Sequence, residues 1–159
     1  MLATTSLEAG QHAPTFSLPD ADMETVELAQ FVGKQNIVLY FYQKDGGPGC
    51  TTEAIEFTDI ESEFTKRNTV VLGVSPDDCL KHAEFRDEHG ISITLLADVE
   101  REVCRRYGVM HEREVGGQIK ECVHRATFVI DKSGVLRHAL YGVNPRGHAR
   151  EVLELVRQL

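Results

Sequence analysis

The first half of the chain alternates short apolar runs with segments of helical periodicity. The runs are rich in β-branched and aromatic residues and have the length of buried strands. They lie at residues 37–42, 69–74 and 93–97. From residue 51 to residue 66 apolar side chains recur every three or four positions, which predicts an amphipathic helix. Ser75 as N-cap, with Pro76 in the first turn, predicts a second helix that ends before Gly90.

The second half predicts one more short helix, a hairpin of two strands and a C-terminal helix. The predicted helices are 100–107 and 146–159, and the predicted strands are 125–131 and 135–141. Residues 112–121 are polar and contain a pair of glycines, which predicts an exposed loop. Alternating strands and helices favour parallel crossovers, and the hairpin adds antiparallel strands. We therefore predict an α/β fold of the thioredoxin-like type, with a central mixed sheet flanked by helices, and a single domain over residues 1–159.

Composition narrows the possible partners. A chain of 159 residues with 42% hydrophobic and 26% charged residues suits one globular domain. Its 17 Lys and Arg against 25 Asp and Glu give a formal net charge of −8, which repels nucleic acid and anionic lipid. No apolar stretch approaches the roughly 20 residues that span a bilayer, and no export signal is visible, so we expect a cytoplasmic protein without a membrane partner. The four cysteines show no Cys-x-x-Cys spacing, which argues against a disulfide scaffold or structural zinc.

Cys50 is the candidate nucleophile. It follows a loop of glycines and a proline after the first predicted strand and begins the predicted helix. Open α/β sheets bind ligands at this edge, and unpaired N–H groups and the helix dipole there favour the thiolate over the thiol. The alternative is a cysteine that only fills a buried gap. The neighbouring Gly46, Gly47 and Gly49 make poor core filler and permit close approach of a small ligand.

Several segments of the chain carry motifs that occur together in one family. The main segment runs from Val38 to Ala54 and contains Pro48-Gly49-Cys50-Thr51-Thr52-Glu53. Further segments, in the same order along the chain, are 10–20, 73–77, 107–109 and 125–131. Together they resemble peroxiredoxins, and within them the bacterioferritin comigratory protein or peroxiredoxin Q subfamily. The resemblance extends over nearly the whole chain.

The resemblance implies a thioredoxin fold and thiol-dependent reduction of hydrogen peroxide or organic hydroperoxides, without a cofactor. It implies that Cys50 is the peroxidatic cysteine and that Arg125 holds its thiolate. A guanidinium is always charged and donates to both sulfur and oxygen, which suits Arg125 to this role on physical grounds as well. A glutamate at the position of Glu53 would orient Arg125, whereas a solvated carboxylate on the helix face is the alternative. Backbone N–H groups around Gly49 and Cys50 would position the peroxide, and the candidate peroxide-binding residues are Gly47, Gly49 and Thr51.

The chain departs from the family at two positions near Cys50. The usual signature has a proline where this chain has Gln43 and a threonine where it has Gly47. The threonine hydroxyl contacts the thiolate and the peroxide, whereas Gly47 offers only its backbone. One polar contact worth about 1 kcal/mol or more is therefore missing unless Gln43, Thr51, Thr52 or a water replaces it. We expect weakened peroxide turnover, and a thioredoxin-fold redox sensor or thiol-binding module with little turnover is the alternative function.

A second thiol must attack the Cys50 sulfenic acid before further peroxide oxidises it to sulfinic acid. The positions that usually carry a resolving cysteine in the subfamily hold Ile55 and Arg86 in this chain. Cys79, about one turn into the second predicted helix and at the same edge of the sheet, is the best internal candidate, and packing is its alternative role. Without an internal partner, thioredoxin, glutaredoxin or a small thiol must attack the sulfenic acid directly.

The remaining cysteines and histidines carry weaker signals. Cys122 is a further candidate resolving cysteine, but it lies an odd number of positions from Arg125, so on one continuous strand it would point away from the site. Cys122 and His124 supply only two soft ligands, and we predict no metal site. Cys104 is expected to pack in the core. Four histidines without catalytic spacing are expected at the surface, namely His82, His89, His138 and His148. We expect a monomer or a weak homodimer.

Overall fold

The structure, a computed structural model, describes residues 6–159. Its strands are β1 (Ser17–Pro19), β2 (Thr25–Glu27), β3 (Asn36–Phe41), β4 (Thr69–Ser75), β5 (Thr94–Ala97), β6 (Met110–Val115), β7 (Gln118–Val123), β8 (Ala126–Ile130) and β9 (Leu136–Tyr141). Its α-helices are α1 (Cys50–Asp59), α2 (Glu61–Thr65), α3 (Cys79–His89), α4 (Glu102–Arg106) and α5 (His148–Arg157). Among the helices of these residues, none has the length and apolar character that crossing a membrane requires.

A five-stranded sheet in the order β5-β4-β3-β8-β9 forms the centre of the molecule. The strands β3, β4 and β5 are parallel, whereas β8 is antiparallel to both of its neighbours. Helices α1 and α2 connect β3 to β4, and α3 connects β4 to β5, as parallel neighbours require. The predicted α/β fold with a central mixed sheet flanked by helices is confirmed.

Strand β3 is buried on both of its faces, which explains its continuous apolar sequence. On one face Val38 and Tyr40 pack with apolar residues of α1 and α5. On the other face Leu39 and Phe41 pack with residues of β1, α4 and β8. All four side chains are fully buried. The sheet is therefore a well-packed support for the loops that leave the carboxyl ends of β3 and β4.

Two segments differ from their predicted form. The predicted helix 51–66 is interrupted at Ile60, whose φ of −116° and ψ of 17° end α1 before α2 begins. The predicted loop 112–121 is wrong, because these residues belong to the antiparallel pair β6 and β7. Gly116 and Gly117 join the two strands at φ values of +59° and +80°, which a two-residue hairpin turn needs. The hairpin is exposed on both faces, so it lacks the apolar alternation that reveals a strand.

The second predicted helix begins later than its N-cap signal indicates. Ser75 is the last residue of β4, and α3 begins at Cys79. The N-cap is Asp78, whose Oδ1 accepts a hydrogen bond of 2.8 Å from the amide of Lys81. Gly90 ends the helix at a φ of +65°, as the sequence predicts. Cys79 therefore lies at the beginning of α3 and not one turn inside it.

Candidate active site

Cys50 is the first residue of α1, at the edge of the sheet where β3 ends. It is buried, with 2% of its surface exposed. The preceding Gly49 has a φ of +80°, and a Cβ at this position would lie 2.8 Å from Cγ of Pro145. Glycine is therefore required by both the backbone conformation and the space. The turn places Cys50 at the N-terminal end of a ten-residue helix, where unpaired amides and the helix dipole favour negative charge.

Arg125, immediately before β8, brings a positive charge to this thiol. Its Nη2 lies 3.4 Å from Sγ of Cys50 and also donates to the Pro48 carbonyl at 3.3 Å. Its Nη1 donates to Oε1 of Glu53 at 2.8 Å. The start of β8 lies beside the end of β3 because the two strands are antiparallel neighbours. The sheet thus brings Cys50, Glu53 and Arg125 together from distant parts of the chain.

Glu53 is buried one turn into α1, with 1% of its surface exposed. The alternative of a solvated carboxylate on the helix face is therefore wrong. Burial raises its pKa from 4.5 to about 7, although the guanidinium of Arg125 acts in the opposite direction. Its Oε1 pairs with Arg125, whereas Oε2 has no hydrogen-bond partner among residues 6–159. The carboxyl group can therefore carry a proton near neutral pH without leaving the site.

Gln43 brings a side-chain amide to the thiol, whereas residue 47 has no side chain to offer there. Its Oε1 accepts a hydrogen bond of 2.8 Å from Nη2 of Arg125 and lies 3.5 Å from Sγ of Cys50. A Cβ at Gly47 would lie 3.4 Å from the same sulfur, so position 47 does face the thiol. In the described chain no hydroxyl of Thr51 or Thr52 makes a hydrogen bond to that sulfur, so of the replacements considered in the sequence, Gln43 is the side chain that reaches it.

The amides around the thiol are not all available to a ligand. The amide of Cys50 donates to the carbonyl of Gly47 at 3.1 Å. In contrast, the amides of Gly49 and Thr51 donate to no backbone carbonyl of the described loops and turns. The Cys50 amide thus already has an acceptor, and of the N–H groups around Gly49 and Cys50 those of Gly49 and Thr51 are the candidate donors to a peroxide.

The other three cysteines occupy different environments. Cys79 is half-buried at the start of α3, where burial, and then the charges of Asp78 and Asp20, raise its pKa. Cys104 is fully buried in the core, as expected for packing, and burial raises its pKa strongly. Cys122 is half-buried on β7. The argument from one continuous strand does not apply to Cys122, because β7 and β8 are separate strands that meet at a short turn.

A buried cluster of polar side chains secures the loop that precedes Cys50. Asp45, in this loop, accepts hydrogen bonds from the hydroxyl of Tyr42 at 2.6 Å and from the ring of His82 at 2.6 Å. The other ring nitrogen of His82 lies 2.9 Å from the carbonyl of Leu96. A carbonyl only accepts, so Nε2 carries a hydrogen, and the contact to Asp45 requires a second proton between ring and carboxylate. The loop is thereby joined to α3 through a charge-assisted hydrogen bond.

This cluster overturns part of the histidine prediction. His82 and His148 are buried, with 0% and 1% of their surface exposed, whereas His89 is exposed and His138 is half-buried. The ring of His148 bonds to the hydroxyl of Thr127 at 2.7 Å, and burial lowers its pKa. No local sequence pattern distinguishes His82 from His89, because the partner of His82 lies 37 positions away.

Together with Asp77, the same cluster forms a group of side chains that could hold a metal ion, the group of this kind found among the described residues. Atoms of Asp45, Asp77 and His82 lie within 4.8 Å of one another. These atoms already have partners, since Oδ2 of Asp77 accepts from the Asp45 amide at 2.7 Å and from the Ser75 hydroxyl at 2.8 Å. A hydrogen-bonded network accounts for the cluster without an ion.

A buried cysteine at a helix start, with an arginine at the start of the neighbouring strand, is an arrangement typical of a thiol oxidoreductase. Comparison with known proteins makes the class specific. The AhpC/TSA family matches residues 9–139, and the chain belongs to that family.

Similarity to curated relatives extends over nearly the whole chain. It is similar to Peroxiredoxin Bcp of Bacillus subtilis, with 38% identity over 154 residues, which cover 97% of this chain and 98% of that relative. Peroxiredoxin Bcp of Escherichia coli is 37% identical over 152 residues, which cover 96% of this chain and 97% of that relative. A solved structure of the Xanthomonas campestris bacterioferritin comigratory protein, studied for its alkyl peroxide reduction activity, has a TM-score of 0.89 at 30% identity. That match covers 95% of this chain and 98% of the other. The chain is a thioredoxin-fold peroxiredoxin, an enzyme that reduces hydroperoxides with electrons from thiols.

Removing the buried His82 should destabilise the fold far more than removing His89, which is exposed on the same helix. We expect His82→Ala to lower the free energy of unfolding by about 3–5 kcal/mol, because the buried Asp45 carboxylate loses its proton-sharing partner. The matched variant His89→Ala should lose less than about 1 kcal/mol. Urea unfolding of both variants measures the difference, and equal losses would contradict the buried pair.

The raised pKa of Glu53 predicts a pH dependence of stability. A rise from 4.5 to about 7 means that the folded protein binds this proton more tightly than the unfolded chain. The protonated carboxyl therefore adds about 3 kcal/mol to the free energy of unfolding. This stabilisation is complete below pH 4.5 and is lost as the pH rises through about 7.

Glu53→Gln should remove this dependence while it keeps an oxygen for Arg125. The difference in unfolding free energy between wild type and Glu53→Gln, followed by urea denaturation from pH 4.5 to pH 8, should fall with pH. Glu88→Gln, at an exposed carboxylate, is the matched control and should parallel the wild type. A flat difference for Glu53→Gln would show that its carboxyl titrates normally.

Proposed function

We propose that Cys50 is the peroxidatic nucleophile and that Arg125 stabilises its thiolate and the reacting oxygens. The observation that carries this assignment is the 3.4 Å contact between Nη2 of Arg125 and Sγ of Cys50 at the start of α1. A guanidinium remains charged throughout the physiological pH range and has N–H groups left for oxygen acceptors. Glu53 supports the arrangement as a positioning residue, because it holds the opposite side of the guanidinium.

The thiolate attacks the terminal oxygen of the hydroperoxide. The S–O bond forms as the O–O bond breaks, so sulfur loses two electrons, and the leaving oxygen takes a proton from water. The transferred oxygen keeps its hydrogen, and Cys50 becomes a sulfenic acid. Negative charge moves from sulfur to the leaving oxygen in this step, and the fixed guanidinium of Arg125 stabilises it along the whole path.

We assign binding of the peroxide oxygens to the edge formed by Gly47, Gly49 and Thr51. The free amides of Gly49 and Thr51 supply donors, and Gly47 leaves room beside the sulfur. A cavity of about 260 Å³ adjoins this edge and is lined by Gly49, Thr52, Asn144, Pro145 and Arg146. Such a cavity accommodates the organic part of a hydroperoxide, so the proposed substrates include alkyl hydroperoxides as well as hydrogen peroxide. The alkyl peroxide reduction activity named for the Xanthomonas campestris relative supports this range.

We propose Cys79 as the internal resolving cysteine. The segment just before its helix is linked to the loop before Cys50, since Asp77 accepts a hydrogen bond of 2.7 Å from the amide of Asp45. Cys50 is buried in the first turn of α1, so we expect that turn to unwind locally to bring the Cα atoms within the about 7 Å that a disulfide needs. The raised pKa of Cys79 lowers its thiolate fraction and slows this attack. An external thiol, supplied by thioredoxin, glutaredoxin or a small molecule, is then the competing route and also the source of electrons for turnover.

We further propose that residues 1–159 act as one domain, as a monomer or weak homodimer in a reducing cytoplasm. The net charge of −8 supports the proposal that nucleic acid and membrane surfaces are not partners.

Substitutions at Cys50 and Arg125 test the proposed roles. Cys50→Ser should abolish peroxide consumption, and Arg125→Lys should lower its rate about 100-fold, because a lysine cannot reproduce the fork of donors. Cys122→Ser is the matched control and should keep wild-type activity. Peroxide loss in the presence of thioredoxin and its reductase is the measurement. Oxidation of Cys50 without turnover in the wild type would instead identify a redox sensor.

Mass spectrometry after one equivalent of peroxide tests the resolving thiol. The wild type should lose two hydrogens in intact mass and yield a peptide crosslinked between Cys50 and Cys79. Cys79→Ser should retain a sulfenic acid at Cys50 that dimedone traps. A trapped sulfenic acid in the wild type, at the same level as in Cys79→Ser, would assign resolution to an external thiol.

A further inference from the structure

Apart from Arg125, the side chain that forms a hydrogen bond with the thiol among the described residues belongs to a residue that the family signature does not contain. Oε1 of Gln43 lies 3.5 Å from Sγ of Cys50. The position that usually supplies a hydroxyl is Gly47, which is buried and has no side chain. Gln43 is exposed and Cys50 is buried, so this contact joins the buried thiol to a residue that reaches solvent.

Hydrogen-bonding chemistry fixes the orientation of this amide. Nη2 of Arg125 can only donate, and it lies 2.8 Å from one end of the amide. The carbonyl of Val123 can only accept, and it lies 3.2 Å from the other end. Only one orientation satisfies both partners, because the flipped amide would bring two donors together at one end and two acceptors at the other. The oxygen of Gln43 is therefore directed at Arg125 and at the sulfur.

A carbonyl oxygen has two lone pairs, and Arg125 uses only one of them. In the resting thiol, the S–H of Cys50 donates to the second lone pair. When the thiol ionises, that proton leaves and the second lone pair of Oε1 becomes free. It then lies beside the thiolate and is positioned for a new donor. The donor that a hydroperoxide brings is its own O–H.

We propose that Gln43 is a catalytic residue of this peroxidase, whose side-chain oxygen accepts a hydrogen bond from the O–H of the bound hydroperoxide. The inference rests on the proposed function of Cys50. In the step described above, the hydrogen stays on the transferred oxygen, so the same bond lasts from the peroxide to the sulfenic acid. It directs the terminal oxygen, and not the substituted one, towards sulfur. Gln43 thus supplies the acceptor that Gly47 lacks.

A purely structural role for Gln43 makes a different prediction. If the amide only held Arg125 in place, its removal would weaken every reaction of the thiolate. If it accepts the peroxide hydrogen, its removal selectively weakens the reaction with peroxide. Iodoacetamide alkylates the same thiolate but has no O–H to orient, so the ratio of the peroxide rate to the alkylation rate separates the two roles.

The experiment measures both rate constants for Cys50 in full-length wild type, Gln43→Met and Gln43→Glu. The methionine keeps the length of the side chain and removes the oxygen acceptor, so the ratio should fall about tenfold, the value of one transition-state hydrogen bond. The glutamate keeps an oxygen acceptor but adds negative charge beside sulfur. Both of its rates should therefore fall, while their ratio stays within about threefold of the wild type. Gln158→Met, at an exposed glutamine in the last residues of the chain, is the matched control and should change neither rate.

Each other outcome overturns a defined claim. An unchanged ratio in Gln43→Met, whether both rates hold or both fall, would overturn the catalytic role of Gln43 and leave the peroxidase assignment intact. A ratio that falls as far in Gln43→Glu as in Gln43→Met would also overturn it, because an oxygen acceptor is still present. A wild type that iodoacetamide alkylates at Cys50 but peroxide does not oxidise would overturn the proposed function itself.

Discussion

One guanidinium holds the active site together. Arg125 donates to the sulfur of Cys50, the amide oxygen of Gln43, the carboxylate of Glu53 and the carbonyl of Pro48. Its donors form a rigid planar fork, so these four acceptors cannot move independently. The side chain is 10% exposed, and its charge is balanced by Glu53, whose side chain is fully buried. Without that carboxylate a buried positive charge would be costly, so the position of the thiol depends on an ion pair on its far side.

Two acids share this single positive charge. The Glu53 carboxylate and the Cys50 thiolate both contact Arg125, and each is stabilised less when the other is ionised. Burial raises the pKa of Glu53 to about 7, so near neutrality this carboxyl is close to half-protonated. When it is neutral, the guanidinium balances the thiolate alone. A neutral Glu53 therefore leaves the single positive charge of Arg125 to the sulfur beside it.

The parts of this molecule that the sequence predicts are those whose signals are local. The continuous apolar run of β3 follows from burial on both of its faces, and the glycine-rich loop before Cys50 follows from a positive φ at Gly49. Contacts between distant segments are not visible in such patterns. His82 and His89 lie on the same helix, yet only His82 meets Asp45, 37 positions away. The β6–β7 hairpin escaped prediction for the opposite reason, since both of its faces are exposed and no apolar alternation is present.

The departures at positions 43 and 47 both change what surrounds the sulfur. A proline at position 43 could make neither of the side-chain hydrogen bonds that Gln43 forms with Arg125 and Val123. A Cβ at position 47 would lie 3.4 Å from the sulfur, an ordinary contact, and 3.0 Å from Cγ of the exposed Lys44 side chain. Residue 47 therefore offers the sulfur no side chain, whereas Gln43 offers it an amide oxygen. Fixing a glutamine costs about 1.5–2 kcal/mol of rotamer entropy, which its hydrogen bonds to a charged and a backbone partner offset. The side-chain oxygen beside the sulfur thus comes from the end of β3 and not from the turn before α1.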